Sequence, residues 1–303
     1  MNRVSKLLKA NETLILLFHG VIPKKDYDIR NYTHKHAYVD EFILILKDLL
    51  KYGNPISINE LYLHVTEKNK VPPNNFVLTF DDGFWNNYSY AAPILDDFRI
   101  PATFFVTTDF INYNKQSWID KIESAISQTE QLSINSIFIP KELTKIRSTE
   151  EKKQLLKYFR ENLKYRNDLD LEVLADEIVF LALGNNPVKK IEVLDRKMNW
   201  NELKELSRNS LFTIGGHGKT HKILGFLSNE ESSIEINKSI HDLRDFANIA
   251  VEHYSYPEGF EGSFTIENSS QLSTLGVKSA MTTIKGTVNM NTNLFMLNRH
   301  LIY

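Results

Sequence analysis

The passage Phe76-Val77-Leu78-Thr79-Phe80-Asp81-Asp82-Gly83, followed by a helical stretch at 86–98 and then Ala102-Thr103-Phe104-Phe105-Val106-Thr107, decides the fold. Each apolar run is short and does not alternate with polar residues. Such runs suit strands buried on both faces of a parallel sheet. Pro93 either kinks the intervening helix or sits near its start. Upstream, Leu14–Phe18 is a third run of this kind, and 38–51 has helical spacing through Phe42, Ile45, Leu46, Leu49 and Leu50. Ser57-x-x-Glu60 is a capping box that opens another helix. Downstream, Asn199-x-x-Glu202 and Ser228-x-x-Glu231 cap helices. Leu211–Ile214, Val251–Tyr256 and Val277–Thr283 read as strands, with Leu294–Leu297 as a last one. Strands alternating with helices predict an α/β fold with a parallel sheet, open or closed into a barrel.

The alternation stops at about 112 and resumes at about 197. The texture between is helical and charged, which predicts a mostly helical subdomain or lid, 112–197, inserted within a domain spanning 1–303. Its charge runs read as solvated helix faces.

Composition narrows the function classes. The 303 residues carry 36 basic and 38 acidic side chains, a net charge of −2, so nothing favours a phosphate backbone and nucleic acid is not expected as a partner. Cysteine is absent, which removes disulfide scaffolds, thiolate zinc sites and cysteine nucleophiles. A chain this long buries roughly 75% of its unfolded surface and needs no such staple. No apolar stretch reaches the roughly 20 residues that span a bilayer. The opening residues lack a signal-peptide core, and a cytoplasmic location is expected.

Polar residues with chemical potential gather after predicted strands: His19, the pair Asp81 and Asp82, His217 and His221, Pro257-Glu258-Gly259, and Arg299 with His300. In parallel α/β folds the C-terminal strand ends share one face, so these groups should converge. Asp81-Asp82-Gly83 taken alone reads as a turn. Adjacent carboxylates repel, however, and a nearby cation relieves the repulsion. In His217-Gly218-Lys219-Thr220-His221 a spacing of four puts both imidazoles on one side of a helical turn, and Gly215-Gly216 just before it suggests close backbone approach. Asp82, His217 and His221 together offer three ligands and an open position, as catalytic zinc-type sites do.

These motifs carry a resemblance. Thr79-Phe80-Asp81-Asp82-Gly83 with His217-x-x-x-His221 is similar to the polysaccharide deacetylase family, carbohydrate esterase family 4. The similarity extends to Leu17-Phe18-His19-Gly20-Val21, to Pro93-Ile94-Leu95 with Pro101–Val106, and to Asn199-Trp200-x-x-Leu203. It also takes in Tyr254-Ser255-Tyr256-Pro257-x-Gly259 and Leu297-Asn298-Arg299. The resemblance implies a distorted (β/α) barrel with fewer than eight complete units. It implies hydrolysis of an N-acetyl group on a sugar of a surface polysaccharide or its precursor. Asp81 would be the general base. Asp82, His217 and His221 would hold a divalent metal, zinc by expectation, with cobalt, nickel or iron as options. The chain looks most like the branch linked to poly-N-acetylglucosamine, in which the acid histidine lies near the N-terminus. That points to His19 as general acid, with His300 as the competitor.

Two departures stand out. Ser255-Tyr256-Pro257-Glu258-Gly259 lacks the family's Arg and its Tyr after Pro. Arg299, expected on the same face, is a candidate replacement for the Arg, and the Glu258 backbone N–H for the oxyanion donor, with Tyr256 and Pro257 expected beside it at the oxyanion or substrate. Trp85 is the best candidate for a sugar-stacking platform among 18 Phe, 13 Tyr and 3 Trp. Competing readings are a catalytically impaired metal-containing carbohydrate-binding domain and an O-acetyl esterase. A non-haem iron oxygenase would share the ligand set but prefers a jelly roll.

Overall fold

Seven parallel strands build the sheet of the computed structural model, which describes residues 4–68, 70–134 and 138–302. Residues 1–3, 69 and 303 of the expected domain, and 135–137 of the expected insertion, lie outside the described residues. The strands are β1 (Leu14–Phe18), β2 (Asn75–Phe80), β3 (Ala102–Val106), β4 (Phe212–Gly216), β5 (His253–Ser255), β6 (Ser279–Met281) and β7 (His300–Leu301). Their order across the sheet is β6-β5-β4-β3-β2-β1-β7, and the sheet curves through 241° without closing. The fold is a distorted (β/α) barrel. A two-residue strand, Asn54–Pro55, pairs the entry of β2.

Every residue of β1, β2 and β3 is buried, as non-alternating apolar runs require. Their alternate side chains serve two different cores. Leu14, Leu16, Phe18, Leu78, Phe80 and Phe104 face the helix layer, with Phe18, Phe80 and Phe104 stacked in a row at centroid spacings of 5.4 and 5.0 Å. Ile15, Val77, Phe105, Met281 and Leu297 form a smaller cluster of their own.

The helices follow from capping and period. Helix α1 (Val39–Tyr52) buries Phe42, Ile45, Leu46 and Leu49, one apolar stripe. The capping boxes at Ser57, Asn199 and Ser228 open α2 (Ile58–Glu67), α5 (Trp200–Ser207) and α6 (Asn229–Ala247). Between α2 and α5 lie α3 (Ala92–Asp97) and α4 (Thr108–Tyr113), and α7 (Ile266–Thr274) follows α6. Pro93 resolves its two readings by sitting in the first turn of α3, after a single wide turn at Asn87–Ala91.

The expected final strand Leu294–Leu297 is not one. Asn293 accepts from the Phe295 and Met296 N–H groups and bends the chain there, leaving an isolated bridge between Leu297 and Met281 and one bond from the Ala280 N–H to the Leu294 carbonyl. The strand comes later, at His300–Leu301, beside β1.

The chain divides into two units. The main one comprises Met1–Lys24, His36–Lys115 and Lys197–Tyr303 and contains the whole sheet. The second comprises Gln116–Arg196 together with Lys25–Lys35. Its helices Trp118–Ser127, Thr149–Tyr158 and Leu171–Leu183 pack a separate core of Ile122, Ile126, Leu155, Phe159, Leu174 and Ile178. Arg30 ties the short segment in, bonded to Asp195 at 2.6 Å and facing Glu123 at 3.5 Å. No helix among the described residues is long and apolar enough to cross a membrane.

Candidate active site

Strand register brings the polar groups together. Phe18 pairs with Phe80, and the Asp81 N–H bonds the Phe18 carbonyl at 3.0 Å, so His19 and Asp81 leave adjacent strands side by side. Val106 pairs with Gly216, and the His217 N–H bonds the Val106 carbonyl. Tyr254 pairs with the same Gly216, which brings Ser255 alongside. Gly215 and Gly216 allow this. A Cβ on the first would lie 2.5 Å from the Phe105 ring, and one on the second 2.7 Å from Tyr254. At the Asp81-Asp82-Gly83 turn, Asp82 itself takes a left-handed conformation (φ 74°), as does Gly83 (φ 69°).

Asp82, His217 and His221 present one ligand atom each, all within 4.8 Å of one another. His221 Nε2 lies 3.3 Å and His217 Nε2 3.6 Å from Asp82 Oδ1. A tetrahedral ion with bonds of about 2.0–2.1 Å separates its ligands by about 3.3 Å, which the two Asp82–His separations approach. His217 Nδ1 lies 2.7 Å from the Ser255 carbonyl, which fixes the proton on Nδ1 and leaves Nε2 with its lone pair toward Asp82. The His pair is not on a helical turn, however. The segment between is irregular, with Gly218 at φ 78° and His221 at φ 66°, and left-handed residues cannot continue a helix. Phe110 stacks on His221 at 5.7 Å, and the buried Lys197 ammonium lies 4.7 Å from that ring and 3.1 Å from the centre of Phe84.

Asp81 stands beside this set, 3.8 Å from His217 Nε2. Arg299 holds it with two bonds, Nη1 to Oδ1 at 2.8 Å and Nη2 to Oδ2 at 2.7 Å. Ser255 Oγ donates to Asp81 Oδ2 at 3.2 Å and accepts from Arg299 Nη2 at 2.8 Å. Burial pushes the Asp81 carboxyl upward, but opposing influences, the charge and hydrogen bonds of Arg299 foremost, outweigh it and hold Asp81 below the usual carboxylate range. Arg299 does not follow a strand end. It precedes β7, one residue before the His300–Leu16 pair, and its buried side chain reaches Asp81 past Thr79 and Phe105.

The remaining expected residues divide. His19 is close enough to act on the Asp81 charge. His300 is part of β7, and the charges acting on it are Lys285 and Lys9; burial and both lysines lower its pKa. Pro257 packs against Gly218, where an added Cβ would meet its ring at 3.2 Å. Glu258 is left-handed (φ 61°), and its carbonyl accepts from the Thr283 hydroxyl at 2.7 Å. Tyr256 is core: its N–H bonds Met281, its hydroxyl meets Ser269 and the Phe295 carbonyl, and its ring stacks on Phe264 at 4.1 Å. Trp85 is half-buried, edge-on to Tyr90 at 6.2 Å. Ser255, which bonds both Asp81 and Arg299, is not among the residues the sequence singles out. A serine inside an apolar strand carries no signal until its neighbours are known.

A sequence profile of the polysaccharide deacetylase family matches residues 68–153 and 177–277, together more than half of the chain. No curated protein matches the chain significantly in sequence. Among solved structures, a Streptococcus pyogenes deacetylase, PplD, in complex with acetate superposes with a TM-score of 0.62 at 16% identity, covering 97% of this chain and 93% of its own. IcaB from Ammonifex degensii gives 0.59 at 16% identity, with 98% and 94% covered. The BpsB deacetylase domain from Bordetella bronchiseptica gives 0.56 at 16% identity, with 97% of each chain covered. At such identities the superpositions speak for the fold, and the profile match establishes that the chain belongs to the polysaccharide deacetylase family.

Proposed function

We propose that the chain is a metal-dependent carbohydrate N-deacetylase acting on an amino-sugar residue of a surface polysaccharide or its precursor. The observation that carries this reading is the ionised, doubly bonded Asp81 beside the Asp82–His217–His221 set. A divalent ion held there would polarise the acetyl carbonyl and lower the pKa of its bound water toward about 7. Asp81 accepts the water's proton at a carboxylate oxygen, and Arg299 keeps that oxygen ionised and aimed. His19, on the neighbouring strand end, gives a proton to the departing amine nitrogen, without which an amide does not cleave. The Glu258 N–H is assigned to the developing oxyanion, and Trp85 to stacking on the sugar. Arg299 supplies the guanidinium that the Ser255–Gly259 stretch lacks, which favours an enzyme over an impaired binding domain. The acetate bound to the S. pyogenes relative is the acid this reaction would release.

The test is release of free amine from N-acetylglucosamine oligomers by zinc-loaded protein, with Asp81→Asn and His19→Ala as probes. Asp81→Asn should retain the metal and lose roughly 10²–10⁴-fold in rate. His19→Ala should abolish amide cleavage while sparing an activated acetyl ester. Full amine release by Asp81→Asn would refute the base assignment. Ester cleavage without any amide cleavage by the unaltered protein would make it an O-acetyl esterase.

A further inference from the structure

Between the two histidines, the backbone of Gly218-Lys219-Thr220 makes no helical hydrogen bonds, yet its groups are matched from two sides. Its carbonyls accept from the start of α4: Thr108 N–H bonds Gly218 O at 3.2 Å and Asp109 N–H bonds Lys219 O at 2.8 Å. Its N–H groups go to one carboxylate on α6. Glu235 Oε2 accepts from Lys219 N–H at 3.1 Å and Thr220 N–H at 2.8 Å, and Oε1 accepts from the Thr220 hydroxyl at 2.8 Å. Glu235 is 7% exposed, and among the described residues it has no ion pair; its hydrogen bonds all go to this loop. The Lys219 ammonium is held instead by Asp109, at 2.8 Å to each oxygen.

We propose that Glu235 is the positioning residue of the site. Its three bonds to 219–220 set the left-handed turn that delivers His221 Nε2 to Asp82 and His217. The proposal rests on the reading of these three residues as a metal site. The physical reason is local. His221 sits at φ 66°, a conformation that a side-chain-bearing residue leaves unless its surroundings hold it. Gly218 at φ 78° can follow any relaxation of the loop. Charge-assisted bonds to two consecutive N–H groups lock the segment between these soft points. Nothing in the spacing of the histidines names Glu235, which comes sixteen residues after Lys219 on another element.

The experiment uses the full chain, stripped of metal and titrated with zinc against a chromophoric chelator, and in parallel with cobalt(II), whose visible bands report ligand geometry. Glu235→Ala should weaken zinc by about 10–100-fold, as loss of a ligand-orienting partner does elsewhere, and should alter the cobalt bands. Glu235→Gln should stay close to the unaltered protein, because its amide oxygen still accepts both N–H groups and its NH₂ can donate to Thr220 Oγ1. Unchanged zinc affinity in Glu235→Ala, with or without a lower melting temperature of the metal-free protein, overturns the proposal. So does a Glu235→Gln loss as large as that of alanine. If Glu235→Ala does not fold, Thr220→Val removes the Oε1 bond alone, and unchanged zinc affinity and cobalt bands in that variant are equally fatal. Failure of the unaltered protein to take up zinc or cobalt would instead sink the metal reading, and this inference with it.

Discussion

Replacing Arg299 with Met removes a buried charge whose five N–H donors are all engaged. They go to Asp81 Oδ1 and Oδ2, the Thr79 and Ser255 hydroxyls, and the Thr282 carbonyl. Methionine fills similar space but leaves the buried Asp81 without its guanidinium. Breaking a buried pair from one side costs about 3–5 kcal/mol. At a urea slope of about 3 kcal/mol/M, that shifts the midpoint of the main unit down by about 1–1.7 M. The activity consequence is separate. Burial already pushes the Asp81 carboxyl upward, and Arg299 is the largest opposing influence. Without it, Asp81 takes up a proton at a higher pH, and on the proposed function the acid limb of the deacetylation rate moves toward neutrality. Arg299→Lys keeps one charge but cannot span both carboxylate oxygens, so it should fall between the two. Urea unfolding followed by circular dichroism gives the first quantity, and rate against pH gives the second. An Arg299→Met protein with an unmoved midpoint and an unmoved acid limb would show that the pair neither stabilises the fold nor tunes Asp81.

His253 lies buried in β5, bonded to the Ser279 hydroxyl at 2.8 Å and Asn59 Oδ1 at 2.9 Å. Burial lowers its pKa from 6.5 to about 4. The unfolded chain therefore protonates it first, and stability should fall by up to about 3 kcal/mol as pH drops from about 6.5 to about 4. Urea midpoints of the unaltered protein and of His253→Gln across that range check this; equal slopes in both would rule it out. Tyr256→Phe loses the hydroxyl bonds to Ser269 and Phe295 and should cost about 1 kcal/mol of stability. Its amine release per folded molecule should be unchanged, and a large drop in rate would place Tyr256 in the chemistry after all.

Much of the site could be read from the chain because each buried strand announces itself and the next residue is then at the mouth. That logic points to His19, Asp81, Asp82 and His217, and strand register does place them at neighbouring strand ends. It failed where a residue's role depends on partners from other elements. A spacing of four between His217 and His221 reads as helix, yet Gly218, Glu235 and the start of α4 impose a different turn. Leu294–Leu297 is apolar enough for a strand, but Asn293 bends it. The strand is His300–Leu301, two residues whose pairing with β1 is a backbone matter with little side-chain signature. The sequence places Arg299 after a strand; the side chain instead reaches Asp81 from before one, by its length. Lys25–Lys35 belongs with the second unit because Arg30 finds Asp195 and Glu123, and no local pattern reveals such distant pairing.

Because β7 lies beside β1, the first strand of the barrel gains that neighbour only once residues 300–301 exist. Asp81 leaves the ribosome 218 residues before the guanidinium that steadies it. A nascent chain held anywhere between residues 82 and 298 therefore carries both carboxylates without Arg299. The pairing of Asp81 therefore waits on a residue far downstream, and a chain cut back past residue 299 would return to that unpaired state.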